Sequence, residues 1–200
     1  MAYDKIIVVR ARLDNRIRYA LNEAKTQRLE NGQVLQTAIN CQLDTTFRDM
    51  QETKRRWDKG SRLVQGYHII HSFSPGEVTA EQAHRLSVEL AERLLQGRFE
   101  AVVATHVDHG HVHAHIVFNS VSCTDGKMFR NDFKAYYGDI RGISNEISRE
   151  NDLSVIEPKG KGKHYAEWDA ERNGKETVRG LIRQDIDAAS CRCLHSAFLF

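Results

Sequence analysis

The densest group of side chains that could do chemistry lies in residues 105–119, whose sequence is THVDHGHVHAHIVFN. Five of the ten histidines fall here within ten positions, together with one aspartate. Imidazole nitrogens bind divalent metal ions and transfer protons near neutral pH. The stretch therefore indicates metal or acid–base chemistry, and its candidates are His106, Asp108, His111, His113 and His115.

A β-strand is the element expected to carry these histidines. Side chains two residues apart lie on the same face of a strand, so His111, His113 and His115 can line one face. The residues between and after them are apolar and rich in β-branched side chains, which is typical of a buried or half-buried strand. Because a buried imidazole needs a hydrogen-bond partner or a metal, a shared divalent cation would satisfy several of them together.

A second strand, over residues 101–106, leads into the group. The link of residues 107–110, with its Asp-His-Gly turn chemistry, predicts a β-hairpin. Such a hairpin returns His106 beside His113 and His115. This arrangement gives three nitrogen ligands and leaves coordination positions open.

Length and composition predict a soluble globular chain. The 200 residues, 40% of them hydrophobic, allow one sizeable domain or one domain with an extension. The 29 Lys and Arg residues are balanced by 27 Asp and Glu residues, so a nucleic-acid signal has to come from local clusters. No apolar run approaches the roughly 20 residues that span a bilayer, and the start, MAYDKIIVV, lacks a secretory signal pattern. We expect no membrane insertion and a cytoplasmic location.

The four cysteines give little functional signal. Cys41, Cys123, Cys191 and Cys193 include no C-x-x-C pair. In a cytoplasmic chain they are expected to be reduced, and two neighbouring thiols alone are a weak indication of zinc. We interpret them as incidental.

A tyrosine in the first predicted helix is a candidate nucleophile. Residues 5–9 read as a buried strand, and Leu13, Ile17 and Leu21 then recur at helical spacing. Tyr19 lies about 200° around the helix from Ile17 and therefore faces away from this apolar stripe. The alternative, a half-buried packing tyrosine, is weakened by that position.

The second predicted helix ends in a basic cluster. Asp44 can cap it, and Phe47, Met50 and Trp57 are expected on one face of it. A basic cluster beside a tryptophan suits a nucleic-acid backbone as well as it suits a solvated helix end. The cluster consists of Lys54, Arg55, Arg56, Lys59 and Arg62.

A further strand and helix are expected before the histidine-rich stretch. Residues 65–73 read as a strand; His68 and His71 face opposite sides of it, which argues against both joining one metal site. We interpret these two histidines as structural or substrate-contacting. Thr79 and Gln82 form a capping-box pattern that opens a helix ending at Gly97.

The part of the chain after residue 119 contains three more expected elements. Asp132 can cap a helix whose core face includes Tyr136 or Tyr137, which are weaker nucleophile candidates than Tyr19. Residues 154–156 are expected to form a closing strand, and residues 177–189 a helix. Between them lies PKGKGK, a flexible basic segment that could follow a phosphate backbone or act as a plain linker; its lysines are Lys159, Lys161 and Lys163.

The histidine pattern resembles a known motif. H-x-D-x-x-H-x-H-x-H-x-x-x-N, here residues 106–119, is similar to the third motif of the relaxase or mobilisation nuclease family. These single-strand endonucleases have an HUH metal site and start the transfer of plasmids and conjugative elements. Residues 19–26, YALNEAKT, resemble the family's first motif, Y-I-x-N-P-x-K-T, without its proline. Residues 39–41, 72–77 and 160–187 also resemble family segments.

The resemblance implies roles for the candidate residues. The family's metal-binding histidines fall on His106, His113 and His115, and its nucleophile on Tyr19. Asp108 would fix the tautomer of a ligating imidazole. The remaining candidates are His111, as an additional ligand or proton carrier, and the DNA-binding residues Lys25, Arg55, Arg56, Lys159, Lys161 and Lys163.

The implied reaction is a transesterification at an origin of transfer. Attack by the tyrosine yields a 5′-phosphotyrosyl linkage and a free 3′-hydroxyl, and reversal rejoins the strand. A phenol with a pKa near 10 is mostly protonated at neutral pH, so the metal or His111 must help to remove its proton. The implied cofactor is Mn²⁺ or Mg²⁺, with imidazole ligands favouring Mn²⁺. The implied partners are single-stranded DNA, relaxosome accessory proteins and a coupling protein.

The expected fold is α+β, with a central, mainly antiparallel sheet that carries the histidine-rich strand and is flanked by helices. Residues 1–189 are expected to form a relaxase nuclease domain, and residues 190–200, SCRCLHSAFLF, a divergent tail that suggests a truncated end. Two alternatives stay open. One is an HUH replication initiator or transposase, which the extended histidine pattern disfavours; the other is a non-catalytic, metal-stabilised DNA-binding module.

Overall fold

The computed structural model describes residues 2–26, 34–60, 62–108, 110–132, 135–155 and 173–174. The chain divides into two compact units, Met1–Ile156 and Glu157–Phe200. Apart from residues 173 and 174, all of the described residues belong to the first unit. The predicted basic segment with Lys159, Lys161 and Lys163, the predicted helix of residues 177–189 and the tail lie outside the described residues.

A five-stranded antiparallel sheet forms the centre of the described part of Met1–Ile156. Its strand order is β1-β3-β5-β4-β2, so the histidine-rich β5 lies in the middle and every one of its residues is buried. The predicted α+β fold with a mainly antiparallel sheet is confirmed. The strands are β1 (Tyr3–Val9), β2 (Gln36–Ile39), β3 (Gly66–Ser72), β4 (Ala101–His106) and β5 (His113–Asn119).

Four α-helices flank this sheet among the described residues. The third one confirms its sequence signals: Thr79 Oγ1 accepts a hydrogen bond from Gln82 N, while Gln82 Oε1 accepts one from Thr79 N. None of the helices that the structure describes is long and apolar enough to cross a membrane. The helices are α1 (Leu13–Ala20), α2 (Thr46–Arg56), α3 (Ala80–Leu95) and α4 (Arg141–Glu150).

The alternation of side chains along β5 gives the two faces of the sheet different tasks. Ile116 and Phe118 point towards α3 and α4 and belong to the larger apolar core. Val117 points the other way and packs with residues of α1 and α2. Because residues two apart share a face, His113 and His115 lie on the α1 side. The larger apolar core thus supports one face of β5, while the other face carries His113 and His115.

The start of α2 differs from the prediction. The helix begins at Thr46 with Thr45, not Asp44, at its N-cap. Asp49 draws the preceding turn together by accepting hydrogen bonds from the Thr45 hydroxyl and from Gln42 N. On this helix Met50 is fully buried, whereas Phe47 is 40% exposed.

The basic end of α2 is also divided between core and surface. Lys54 is only 1% exposed, whereas Arg55 and Arg56 are exposed as predicted. Burial lowers the pKa of Lys54 to about 8, although the nearby Glu100 carboxylate opposes that change. Lys54 is therefore a core residue, because position 54 falls on the same helical face as Met50.

The predicted helix after residue 132 begins with a different helical form. Asp132 Oδ1 accepts a hydrogen bond from Ala135 N at 2.8 Å, and a π-helical segment, Ala135–Ile140, then leads into α4. Tyr136 donates to the carbonyl of Asp4, whereas Tyr137 is 50% exposed and not on the core face.

The closing strand expected at residues 154–156 is not formed at Ser154 or at the following residue. Ser154 N donates to Glu77 Oε1 at 2.8 Å. The backbone N–H of Ser154 is therefore bonded to a side-chain carboxylate and not to the backbone of a neighbouring strand.

A glycine allows α1 to lie close to the sheet. A Cβ atom at Gly66 would lie 2.7 Å from the Phe118 carbonyl oxygen and 2.9 Å from Leu13 Cδ1. The first neighbour is backbone and the second belongs to a fully packed side chain, so neither yields easily. This close contact sets the distance between β3 and the helix that carries Tyr19.

We expect Gly66→Ala to lower the free energy of unfolding by about 1–3 kcal/mol, because the added methyl group overpacks this contact. Urea unfolding followed by circular dichroism measures the change. Gly60→Ala is the matched control, since a Cβ atom there meets nothing within 4 Å. Equal stability of the two variants would contradict the tight packing of α1 on β3.

Candidate active site

Three imidazoles lie together on the α1 face of the sheet. In the antiparallel pairing of β4 with β5, His106 lies directly opposite His113, and His115 follows two residues later on the same face. One ring nitrogen from each of the three lies within 4.8 Å of the others. The ring centroids of His106 and His115 are 4.4 Å apart, and those of His113 and His115 are 5.0 Å apart. The predicted return of His106 beside the other two is confirmed.

Hydrogen bonds to neighbouring groups orient these rings. His106 Nε2 donates to the Ala20 carbonyl at 2.8 Å, which makes Nδ1 the lone-pair nitrogen of a neutral ring. His115 Nδ1 lies 2.7 Å from His68 Nε2, while the buried His115 Nε2 has no hydrogen-bond partner. A buried nitrogen in this state, beside two other imidazoles, fits a metal ion. Such a set of three nitrogen donors suits a divalent transition metal.

Burial keeps His113 and His115 uncharged. Desolvation, together with the smaller effects of the neighbouring His68, His106 and His113, lowers the pKa of His115 to about 2. Desolvation likewise lowers the pKa of His113. Both rings are therefore neutral near pH 7, and their nitrogen lone pairs are available to a cation.

Tyr19 lies at the edge of this cluster. Its ring centroid is 5.3 Å from that of His115 and 5.7 Å from that of His106. Because α1 buries Leu13 and Ile17 against the sheet, Tyr19 faces outward and is 42% exposed. The predicted position off the apolar stripe is confirmed. The phenol is thus close to the histidine nitrogens and accessible to a substrate.

Lys25 joins Tyr19 to the turn after β4. A short 3₁₀ helix, Glu23–Lys25, follows α1. Lys25 Nζ then lies 3.1 Å from Asp108 Oδ2 and 4.7 Å from the centroid of the Tyr19 ring. The hydrogen bond to Asp108 is the main cause that raises the pKa of Lys25, with the nearby Tyr19 adding to it. A permanent cation therefore lies over the face of the phenol ring.

This contact gives Asp108 a partner that the sequence did not predict. The spacing predicted that Asp108 would hold an imidazole, and that interaction stays a prediction. Lys25 was expected among the DNA-binding residues, and the structure places it beside the tyrosine.

His111 lies in the turn and not on the strand. Strand β5 begins at His113, so the connection from β4 is longer than the predicted residues 107–110. The expectation that His111 would share a strand face with His113 and His115 is wrong for this reason. His111 is exposed, and its ring centroid is 5.2 Å from that of His113. His109 lies outside the described residues.

His68 is the residue of the cluster that sequence reasoning missed. The prediction that His68 and His71 face opposite sides of β3 is confirmed: His68 contacts His115, whereas His71 Nδ1 donates to Asp4 on the other face. The spacing of three residues between the two histidines was enough to predict that they face opposite sides. Which face would meet the cluster depended on the pairing of β3 with β5, which the sequence did not show.

Arg56, at the basic end of α2, does not lie at the histidine cluster. Arg56 lies near Cys123, since its positive charge opposes the rise that burial causes in the pKa of the Cys123 thiol. Cys123 N donates to the Arg98 carbonyl, just before the start of β4, whereas His106 lies at the end of β4. Arg56 therefore lies towards the opposite end of the sheet.

A comparison with protein families identifies the family of the chain. The family model described as "Relaxase: MobA/VirD2-like, nuclease domain" matches residues 19–153. This match begins at Tyr19 and includes the three clustered histidines. The chain belongs to this relaxase family. The resemblance predicted from the motifs is confirmed.

Curated relatives of this relaxase domain are longer proteins. A Protein rlx from Staphylococcus aureus is 38% identical over 152 residues, which is 76% of this chain and 45% of the relative. The group II intron-interrupted relaxase LtrB from Lactococcus lactis subsp. cremoris (strain MG1363) is 31% identical over 172 residues, covering 76% of this chain and 30% of the relative. The chain thus spans less than half the length of these two relatives.

Solved structures share the fold of the relaxase domain at low sequence identity. The MobM relaxase domain bound to 26-nucleotide pMV158 oriT DNA has a TM-score of 0.52 and 14% identity, covering 84% of this chain and 98% of that one. A Mn-bound crystal structure of MobM with 22-nucleotide oriT DNA has a TM-score of 0.50 and 13% identity, covering 85% and 98%. At this identity the similarity establishes the fold alone.

We expect Mn²⁺ to stabilise the folded protein through the three imidazoles. At a free concentration of 100 times its Kd, the gain is about 2.7 kcal/mol in the free energy of unfolding. His113→Ala removes one of the three nitrogens and should lose most of this gain. Urea unfolding with and without Mn²⁺ measures both values. An equal Mn²⁺ effect in the wild type and in His113→Ala would show that the ion binds elsewhere.

Proposed function

We propose that this chain is the nuclease domain of a relaxase that nicks one DNA strand at an origin of transfer, for the mobilisation of a plasmid or conjugative element. The observation that carries the proposal is the exposed phenol of Tyr19 beside three buried imidazoles. Family membership supports it, as does the shared fold with a MobM domain that binds oriT DNA and manganese. The accessory and coupling proteins of a relaxosome remain predicted partners.

We assign His106, His113 and His115 as the ligands of a divalent metal ion. Three nitrogen donors favour Mn²⁺ over Mg²⁺, which prefers oxygen. When bound, such an ion would supply positive charge to the non-bridging oxygens of the scissile phosphodiester. The Ala20 carbonyl, which accepts a hydrogen bond from His106 Nε2, holds one of these ligands in place.

Tyr19 is the proposed nucleophile. Its phenolic oxygen forms a bond to phosphorus, and the bond from phosphorus to the 3′-oxygen of the preceding nucleotide breaks. The products are a 5′-phosphotyrosyl linkage and a 3′-hydroxyl that takes up a proton. Because one ester replaces another, the reverse reaction rejoins the strand. We retain His111, in the exposed turn next to His113, as the proposed carrier of the phenol proton.

Lys25 was expected to bind DNA, and we propose that it also acts on the phenol of Tyr19. Its ammonium group, 4.7 Å from the ring centroid, stabilises the negative charge that develops on the tyrosine oxygen as the proton leaves. Asp108 holds that ammonium group at 3.1 Å and so keeps it over the ring. The pair thus prepares the nucleophile and fixes its position.

The alternative functions are less well supported. The match is to a relaxase family model, which favours a relaxase over a replication initiator or transposase. The accessible Tyr19 at the histidine cluster favours an enzyme over a non-catalytic DNA-binding module. Arg55, Arg56, Lys159, Lys161 and Lys163 stay predicted DNA contacts.

We expect Tyr19→Phe to abolish the covalent protein–DNA adduct and to leave DNA affinity unchanged, since only the hydroxyl is lost. The assay uses a single-stranded oligonucleotide that contains the origin of transfer, with Mn²⁺, on a denaturing gel. Fluorescence anisotropy measures binding. Tyr137→Phe, at another exposed tyrosine, is the matched control and should form wild-type amounts of adduct. Adduct formation by Tyr19→Phe would rule out this nucleophile.

We expect Lys25→Met to slow single-turnover adduct formation by about 100-fold or more at saturating DNA, because the cation at the phenol is lost. Lys25→Arg keeps the charge and should keep most of the rate. A DNA-binding role for Lys25 predicts a different result: weaker affinity, a salt dependence reduced by about 0.7 in log–log slope, and an unchanged rate at saturation.

A further inference from the structure

We propose that His68 is a positioning residue for the metal centre: its Nε2 accepts a hydrogen bond from the N–H that His115 must carry on Nδ1 when His115 Nε2 binds a metal ion. The inference rests on the proposed function, because it takes His115 as a ligand. It assigns a task to a histidine that lies outside the motif of residues 106–119.

The pairing of β3 with β5 brings the two rings together. His68 lies opposite Val117, and His115 lies opposite Ile70, so the two histidines are diagonal neighbours on the same face. Their ring centroids are 4.9 Å apart, and His68 Nε2 lies 2.7 Å from His115 Nδ1. Both side chains are almost completely buried, at 2% and 3% exposure. Water therefore does not replace this contact.

The chemistry of imidazole determines the direction of the hydrogen bond in the metal-bound state. A neutral imidazole has one N–H donor and one lone-pair nitrogen. If His115 Nε2 gives its lone pair to a metal ion, the proton has to be on Nδ1. The nearest group to that position is His68 Nε2, which then accepts the hydrogen bond. The reverse direction would place an N–H at His115 Nε2, pointing at the nitrogens of the cluster.

Other roles for His68 fit the geometry less well. His68 Nε2 is at hydrogen-bond distance from His115 Nδ1. This contact is on the opposite side of the His115 ring from Nε2, the proposed metal-binding nitrogen. Among the described residues, the ring nitrogens that lie within 4.8 Å of one another belong to His106, His113 and His115, so His68 is not a fourth ligand. Contact with substrate, which was one interpretation of the sequence, does not agree with 2% exposure. His68 therefore acts through His115.

The test is isothermal titration of the metal-free protein with Mn²⁺. His68→Leu removes the acceptor and should weaken Mn²⁺ binding by about 10- to 100-fold, the usual effect of losing a partner of a metal ligand. His68→Gln has a side-chain carbonyl that can accept from His115 Nδ1 and should retain most of the affinity. If the leucine variant does not fold, His68→Asn takes its place, since its shorter amide does not reach His115.

His71→Gln is the control on the same strand. His71 lies on the other face, where it donates to Asp4, so this variant should bind Mn²⁺ like the wild type. A second readout is independent of metal: ¹⁵N spectra of the metal-free wild type should show a hydrogen-bond coupling between His68 Nε2 and His115 Nδ1. That coupling should be absent from His68→Leu.

The outcomes separate this inference from the proposed function. Mn²⁺ binding by the wild type with equal affinity in His68→Leu would overturn the positioning role and leave the proposed metal site intact. Absence of the ¹⁵N coupling in the wild type would also overturn it. Failure of the wild type to bind Mn²⁺ would overturn the metal site itself.

Discussion

The antiparallel register of β3, β5 and β4 is the constraint on which the rest of the site depends. It places His106 opposite His113, puts His115 on the same face and brings His68 to its diagonal. Because side chains alternate, a shift of one residue in β5 would send both of its histidines into the apolar core under α3. Ile116 and Phe118 resist this shift, since they would then be displaced from that core. Hydrophobic packing on one face thus fixes the imidazoles on the other.

The last residues of α1 and the 3₁₀ turn after it complete the site through three different groups. Carbonyls at the end of a helix have no partner within the helix, and the one of Ala20 accepts the hydrogen bond from His106 Nε2. Tyr19, the residue before it, presents its phenol to the cluster. Lys25 then reaches back over that phenol from the 3₁₀ turn. The end of one helix therefore orients a proposed ligand, supplies the proposed nucleophile and adds a cation.

Local patterns in the sequence were enough for the parts of this site that depend on one element. Strand alternation placed His113 and His115 together, and helical spacing placed Tyr19 outside the apolar stripe of α1. The residues at which the pairing of β4 with β5 begins and ends are not determined by the local sequence. The position of His111 in the turn was therefore not predicted. Contacts between distant segments were also beyond the sequence. Lys25 and Asp108 are 83 residues apart, and His68 and His115 are 47 apart.

The central claim is that one divalent ion binds between the three imidazoles of β4 and β5. Anomalous diffraction from Mn²⁺-soaked crystals, recorded at the manganese absorption edge, tests it most directly. The expected result is one strong peak bonded to a ring nitrogen of each of His106, His113 and His115, with Tyr19 beside it. A strong peak at carboxylates away from β5, with none between the imidazoles, would contradict the claim.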